Sequence, residues 1–234
     1  MTTRASRAAV LWGTVAVLTV LGLLVTAGHY LLQVPPEEAV ARGLGPSPEW
    51  HLEQRALYEA RRVWAALHIL PSMLFVLLAP LQLSARLRAP APALHRANGR
   101  LLVALGLVIA VSAVALGILM PFGGRAETWV TLVLAGGFLL CLGLGVRHIR
   151  RGQVAQHRAW MARMLAIAYA PLTMRLVLAL GTDGLGLDGR AIFAAAMMIG
   201  ALLNLAAVEI WLRRIQPTPA RRPGARLGGT SAGA

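Results

Sequence analysis

The chain has 234 residues, 57% of them hydrophobic and 14% charged, with a formal net charge of +14. That is too apolar for one water-soluble core of this length, and the charges fall between apolar runs, which points to a polytopic membrane protein rather than a nucleic-acid binder. All 23 basic residues are arginine, which excludes a Schiff-base or phosphate-loop lysine, and the single cysteine, Cys141, excludes an intramolecular disulfide and a four-cysteine cluster.

The expected fold is all-α, a bundle of six transmembrane helices near 9–32, 63–83, 101–120, 128–146, 161–180 and 191–212. Each run approaches the roughly 20 residues needed to cross about 30 Å of hydrocarbon as helix. The first run starts basic and contains "VTAG", as a signal peptide might, but its apolar stretch exceeds the usual 7–15 residues of a signal core. It is expected to be an uncleaved span. The segment 33–62 completes an N-terminal unit 1–62 as an external loop, with "HLEQRALYEARRVW" reading as a short amphipathic helix that lies on the outer face or caps the bundle.

Residues 63–180 form the expected core bundle. At 100° per residue, His68, Ser72, Phe75, Ala79 and Gln82 share one face of span 2 over about 21 Å. Span 3 is introduced by "LHRANGRLL" and span 5 by "QHRAWMARML", two His-Arg-Ala triplets 62 residues apart with two spans between them. Spans 2–3 and 4–5 then read as hairpins of one orientation, the pattern of a parallel repeat. Gly99, Gly106, Ala113 and Gly117 make a small-residue stripe beneath His95, which lets another helix or a flat cofactor approach closely. On span 5, His157 and Arg175 share a face about 27 Å from end to end. Arg175 carries a permanent charge toward the external third of its span. It either snorkels to the headgroups or meets a carboxylate or His68. His68 itself is either a ligand or a hydrogen-bonding partner of a neighbouring helix. His29, His51 and His148 read as interfacial.

Residues 181–214 supply an external loop and the sixth span. "GLGLDG" at 184–189 matches a dinucleotide fingerprint by letters only, having no preceding strand. Glu209, the only acid on the inner side, is expected to pair with an arginine. The Pro/Gly/Arg-rich tail 215–234 reads as disordered. Arginine placement puts both termini in the cytoplasm, since most arginines gather at one set of connections and nearly all acids at the other. Arg96 and Arg158, beside the two histidines, lie at that inner surface, where they would face anionic lipid headgroups. The Arg/Ala/Gly-heavy usage suggests a GC-rich bacterial genome, hence a bacterial inner membrane.

The segments "HILPSMLFVLLAPLQLSARLRAPAPALHRANGRLL" and "QHRAWMARMLAIAYAPLTMRL" resemble the bacterial predicted-membrane-protein family called domain of unknown function 2306. The resemblance covers roughly residues 64–178. It rests on His68, Pro80, Gln82, Arg86, His95, Arg96, Gly99 and Arg100, then on His157, Arg158, Met161, Arg163 and Arg175. The family implies no established activity, only a class and a set of residues to test.

Three readings of those residues stand side by side. A small redox protein would hold haem b between histidines on facing helices, with His95 and His157 at a cytoplasmic-side site, His68 and His29 at an outer one, and arginines on the propionates. A transport or small-molecule-binding bundle would line a polar path with His68, Gln82, Arg175 and the cytoplasmic histidines. A structural or accessory subunit would use the same residues for packing and lipid contact. No catalytic triad and no zinc signature is present, and a metal held by His95 and His157 lacks identifiable further ligands.

Overall fold

The structure, a computed structural model, describes residues 34–41, 47–83 and 90–215, with positions 19, 20 and 23. The helices are α1 Pro36–Ala41, α2 Pro48–Ala60, α3 Arg62–Leu83, α4 Pro92–Leu119, α5 Gly124–Arg150, α6 Val154–Ala168, α7 Ala170–Ala179 and α8 Gly189–Ile215. No strand occurs among the described residues. Five segments are long and apolar enough to cross a membrane: Arg62–Gln82, Pro92–Leu119, Gly124–Arg150, Val154–Gly184 and Gly189–Arg214. They correspond to the expected spans 2 to 6, with α6 and α7 as two halves of span 5. The expected first span and the tail beyond Ile215 lie outside the described residues, apart from the three isolated positions.

Leucine and valine side chains stand exposed along α3 (Val63, Leu67, Leu70, Leu74, Leu77, Leu81) and continue on α4. In water such a surface would drive aggregation; against lipid it is the required one, and each helix satisfies its own backbone. The helices run past the apolar stretches that predict them. α4 starts at Pro92, nine residues before the expected span, because proline is preorganised for the first helical position and arginine is a good helix former outside hydrocarbon. α5 runs on to Arg150 and stops where Gly152 takes φ 71°, a backbone state that favours glycine after a helix.

The chain runs up and down, with α3 along α4, α4 against α5, α5 along α6, and α8 along α6 and α7. One apolar core joins α3 to α6 through Phe75, Ala79, Leu102, Phe138, Leu142 and Met164. The Phe75 and Phe138 rings meet edge to face at 6.2 Å. A second core gathers Phe122, Met174, Leu178, Phe193 and Ala196 at the opposite end from Arg96, Arg100, Arg147, Arg150 and Arg158, where Trp50 and Leu57 of α2 close over it. The expected amphipathic helix therefore caps the bundle. Its start is fixed by Ser47, whose hydroxyl accepts the Trp50 N–H at 3.2 Å.

Two of the prolines behave differently. Pro71 lies within the uninterrupted α3, as does Pro80. Pro171 coincides with the break between α6 and α7 at Tyr169, because a proline there removes a donor and its ring crowds the preceding turn. Beside this break, one residue before the Ile167 carbonyl that Pro171 leaves without its helical donor, Asn204 Nδ2 of α8 donates to the Ala166 carbonyl at 3.1 Å, while Thr173 Oγ1 donates to Asn204 Oδ1 at 2.8 Å.

Candidate functional site

The histidines of the two His-Arg-Ala triplets occupy equivalent places, each in the first turn of the second helix of a hairpin. In the α3–α4 hairpin, Gln82 Nε2 donates to His95 Nε2 at 3.3 Å, which leaves the ring proton on Nδ1. Gln82 Oε1 accepts from Asn98 Nδ2 at 3.1 Å, and the same amide lies 3.3 Å from the Leu78 carbonyl. Gly99 makes room for this crossing, since a Cβ there would sit 2.8 Å from Gln82 Nε2. In the α5–α6 hairpin, His157 Nδ1–H donates to the Gly145 carbonyl at 2.9 Å, and Gly145 is the point where Met161 packs closest. Each triplet thus pins its hairpin shut near the turn, by a side-chain amide in one case and a backbone carbonyl in the other.

These two histidines are not joined to each other: each bonds back into its own hairpin. Among the described residues no group of three or more His, Cys, Asp or Glu side chains could hold a metal ion. Arg96 and Arg158 are exposed at the arginine-rich end. Arg163, two turns into α6, makes a bidentate pair with Glu209 of α8, at 2.5 Å and 3.1 Å, with its guanidinium 4.8 Å from the Trp160 ring. The expectation that Glu209 pairs with an arginine names this contact.

Farther along α3, His68 is half-buried against α4. Its Nδ1–H is shared between the Ile109 carbonyl at 3.2 Å and Ser112 Oγ at 3.3 Å. Ser112, almost fully buried, donates to its own helix, closest to the Val108 carbonyl at 2.7 Å. Ser72 Oγ donates back to the His68 carbonyl at 2.5 Å. Beside this group an open apolar groove of about 340 Å³ is lined by Trp64, Leu67, Leu107, Val108, Val111 and Ser112. His68 and Arg175, considered together in the sequence, are not partners in the structure. The charge of Arg175 disfavours a proton on His51 of α2.

His51 departs most from the sequence reading. Expected at the interface, it is 1% exposed beneath the cap. Its ring meets Trp50 edge to face at 5.3 Å, Trp50 meets Phe122 at 5.4 Å, and Phe122 meets Phe193 at 5.4 Å. Burial, then the charges of Arg55 and Arg175, hold the His51 imidazole below its ordinary pKa. Arg190 closes the other side of the cap, bonded to the Phe122 carbonyl at 2.9 Å and paired with Glu53 at 3.2 Å.

Sequence reasoning also passed over Asn98, Ser112 and Asn204. A lone amide inside a 20-residue apolar run is a usable signal for an interhelical hydrogen bond, and Asn204 offered it. Ser112 offered a weaker one, because serine in a helix often bonds only its own backbone.

No curated protein and no solved structure matches the chain. The profile of one family, described as Predicted membrane protein (DUF2306), matches residues 65–212. That stretch is well over half the sequence and takes in every residue named above from His68 to Glu209, so the chain belongs to this family of integral membrane proteins.

Proposed function

We propose that the chain is a non-catalytic membrane subunit, a structural or accessory bundle rather than an enzyme. One observation carries this reading: the polar side chains within the spans are taken up by neighbouring helices. His68 holds α4, Gln82 and Asn98 bridge α3 to α4, His157 holds α5, Arg163 holds Glu209, and Asn204 covers the break in span 5. Such pairs rigidify and register a bundle. Among the described residues, positive charge gathers at one end, where Arg96, Arg100, Arg147, Arg150 and Arg158 are exposed. In this reading that end faces the cytoplasm of a bacterial inner membrane and meets acidic headgroups. The test is complementation of a deletion strain. A folded His68→Gln/His95→Gln/His157→Gln variant should restore the wild-type phenotype; failure of that folded variant would show that the imidazoles do chemistry.

A haem b reading has its own support. His68 and His157 each direct Nδ1–H toward a backbone carbonyl, the arrangement that leaves Nε2 to a metal in ligating histidines. Arg96 and Arg158 would take the propionates. His95 would first have to release Gln82. Protein purified after expression with ample haem and showing no Soret absorption would dismiss this reading. A band lost in His157→Ala or His68→Ala would establish it. A transport reading draws on the discontinuous span 5 alone.

A further inference from the structure

We propose that the apolar run 9–32 stays in the working protein as a span, seated through Thr19 on the junction between α3 and the divided span 5. Of that run the structure describes Thr19, Val20 and Leu23. Thr19 is 7% exposed, and its hydroxyl lies 3.1 Å from the phenolic oxygen of Tyr169, which is itself buried. Tyr169 stands where α6 ends and α7 begins, and its phenol donates to the Val76 carbonyl of α3 at 3.4 Å. With the one phenolic proton placed there, Thr19 is the donor in the shorter contact. Three segments thus meet at one phenol.

The neighbours of Thr19 fit a helix lying on that junction. Val20, 100° round, is 54% exposed, as a valine facing lipid would be, while Leu23, one turn beyond Thr19, is half-buried. Depth agrees as well. Val34, just past the run, is held at the cap by Arg55 of α2, which donates to its carbonyl. Thr19 precedes Val34 by about 15 residues, and Tyr169 precedes Gly184, the cap-side end of span 5, by the same number, about 22 Å of helix. A helical run hung from the cap therefore brings Thr19 to the level of Tyr169. Its other end starts at Arg4 and Arg7, charges that belong with the arginines of the opposite face.

The competing reading is a cleaved leader. Processing within "VTAG" would carry off Thr19 and leave the Tyr169 hydroxyl, among the described residues, with the long Val76 contact alone. Polar side chains inside spans find partners on neighbouring helices, and here the partner comes from the run itself. Asn204 of α8 reaches the same break through Ala166 and Thr173, so the first run and α8 both bear on it.

The experiment has two parts. On the unmodified chain purified from membranes, intact mass and N-terminal sequencing should find the run 9–32 present; a mature N-terminus after "VTAG" overturns the proposal. For the seating, a protease site is placed between α1 and α2, and a photoreactive diazirine side chain is incorporated at position 19 or at position 20. After illumination and cutting, the position-19 probe should leave the two fragments joined, with the attachment mapped to α3 or to the α6–α7 junction. The position-20 probe should join them several-fold less, its carbene being spent on lipid. Equal joining from both positions, or attachment elsewhere from position 19, overturns the seating. Should the probe at 19 prevent accumulation, a diazirine leucine at Leu23 replaces it under the same outcomes.

Discussion

Replacing Gly99 by alanine tests whether the Gln82 crossing is what holds the first hairpin. The added methyl would lie 2.8 Å from Gln82 Nε2 and 3.6 Å from its Cδ, so the amide must withdraw. Its bonds to His95 and Asn98, at 3.3 and 3.1 Å, are already long and would both break. At about 0.6 kcal/mol for an interhelical hydrogen bond in a membrane protein, the loss is about 1.2 kcal/mol. Alanine in place of glycine in a helix returns about 0.8–1 kcal/mol, so the single substitution is expected to be nearly silent. The effect emerges in a cycle. With Gln82→Ala already present nothing stands in the way of the methyl, and Gly99→Ala should stabilise by about 0.8–1 kcal/mol. The coupling, about 1 kcal/mol, is read from reversible unfolding in mixed micelles followed by tryptophan fluorescence. Additivity within about 0.3–0.5 kcal/mol would refute the reasoning.

Gly200→Ala should destabilise by about 1–3 kcal/mol in the same assay, because its Cβ would meet the Met174 nitrogen at 2.7 Å and the Ala170 oxygen at 3.0 Å, backbone atoms that cannot swing aside. Gly145→Ala, which meets only the flexible end of Met161 at 2.1 Å, should lose clearly less; equal losses would contradict this. Glu209→Gln should lower stability by about 0.2–1 kcal/mol, the range for partly exposed pairs, with the deficit shrinking in high salt. A deficit indifferent to salt would argue that packing, not charge, holds α6 to α8. Asn204→Leu should lose about 0.6–1.7 kcal/mol by stranding the Ala166 carbonyl, and an unchanged unfolding midpoint would mean that span 5 needs no such donor.

Five of the six expected spans were legible because a hydrocarbon slab selects only on length and polarity, and the runs at 63–83 and 128–146 satisfy both without reference to any partner. Helix ends were less so. The segment from Pro92 to Arg100 is polar enough to end a hydropathy window yet goes on hydrogen-bonding as helix. Pairings were legible where only one partner existed. Glu209 had arginines alone to meet at its end, whereas Arg175 could have met several groups, and its charge bears on His51, one of the three histidines read as interfacial. The seating of α2, through Trp50, depends on Phe122 and Phe193, some 70 and 140 residues away, and no local periodicity encodes that docking. Likewise Pro71 and Pro171 look alike in sequence; only the surrounding helices decide that one is absorbed and the other divides its span.

The turns of helix that overrun the apolar stretches bear on which bilayers the protein can inhabit. The 27 residues of α5 extend about 40 Å, against a hydrocarbon layer of about 30 Å. The surplus stands in the headgroup zone as finished helix, ending in Arg147 and Arg150. When the surrounding membrane thickens or thins by a few ångströms, the bundle can tilt or slide to match without exposing an unpaired peptide group to oil. Indifference to lipid chain length is thus built into the helix ends, and insertion yields measured in short- and long-chain bilayers should differ little.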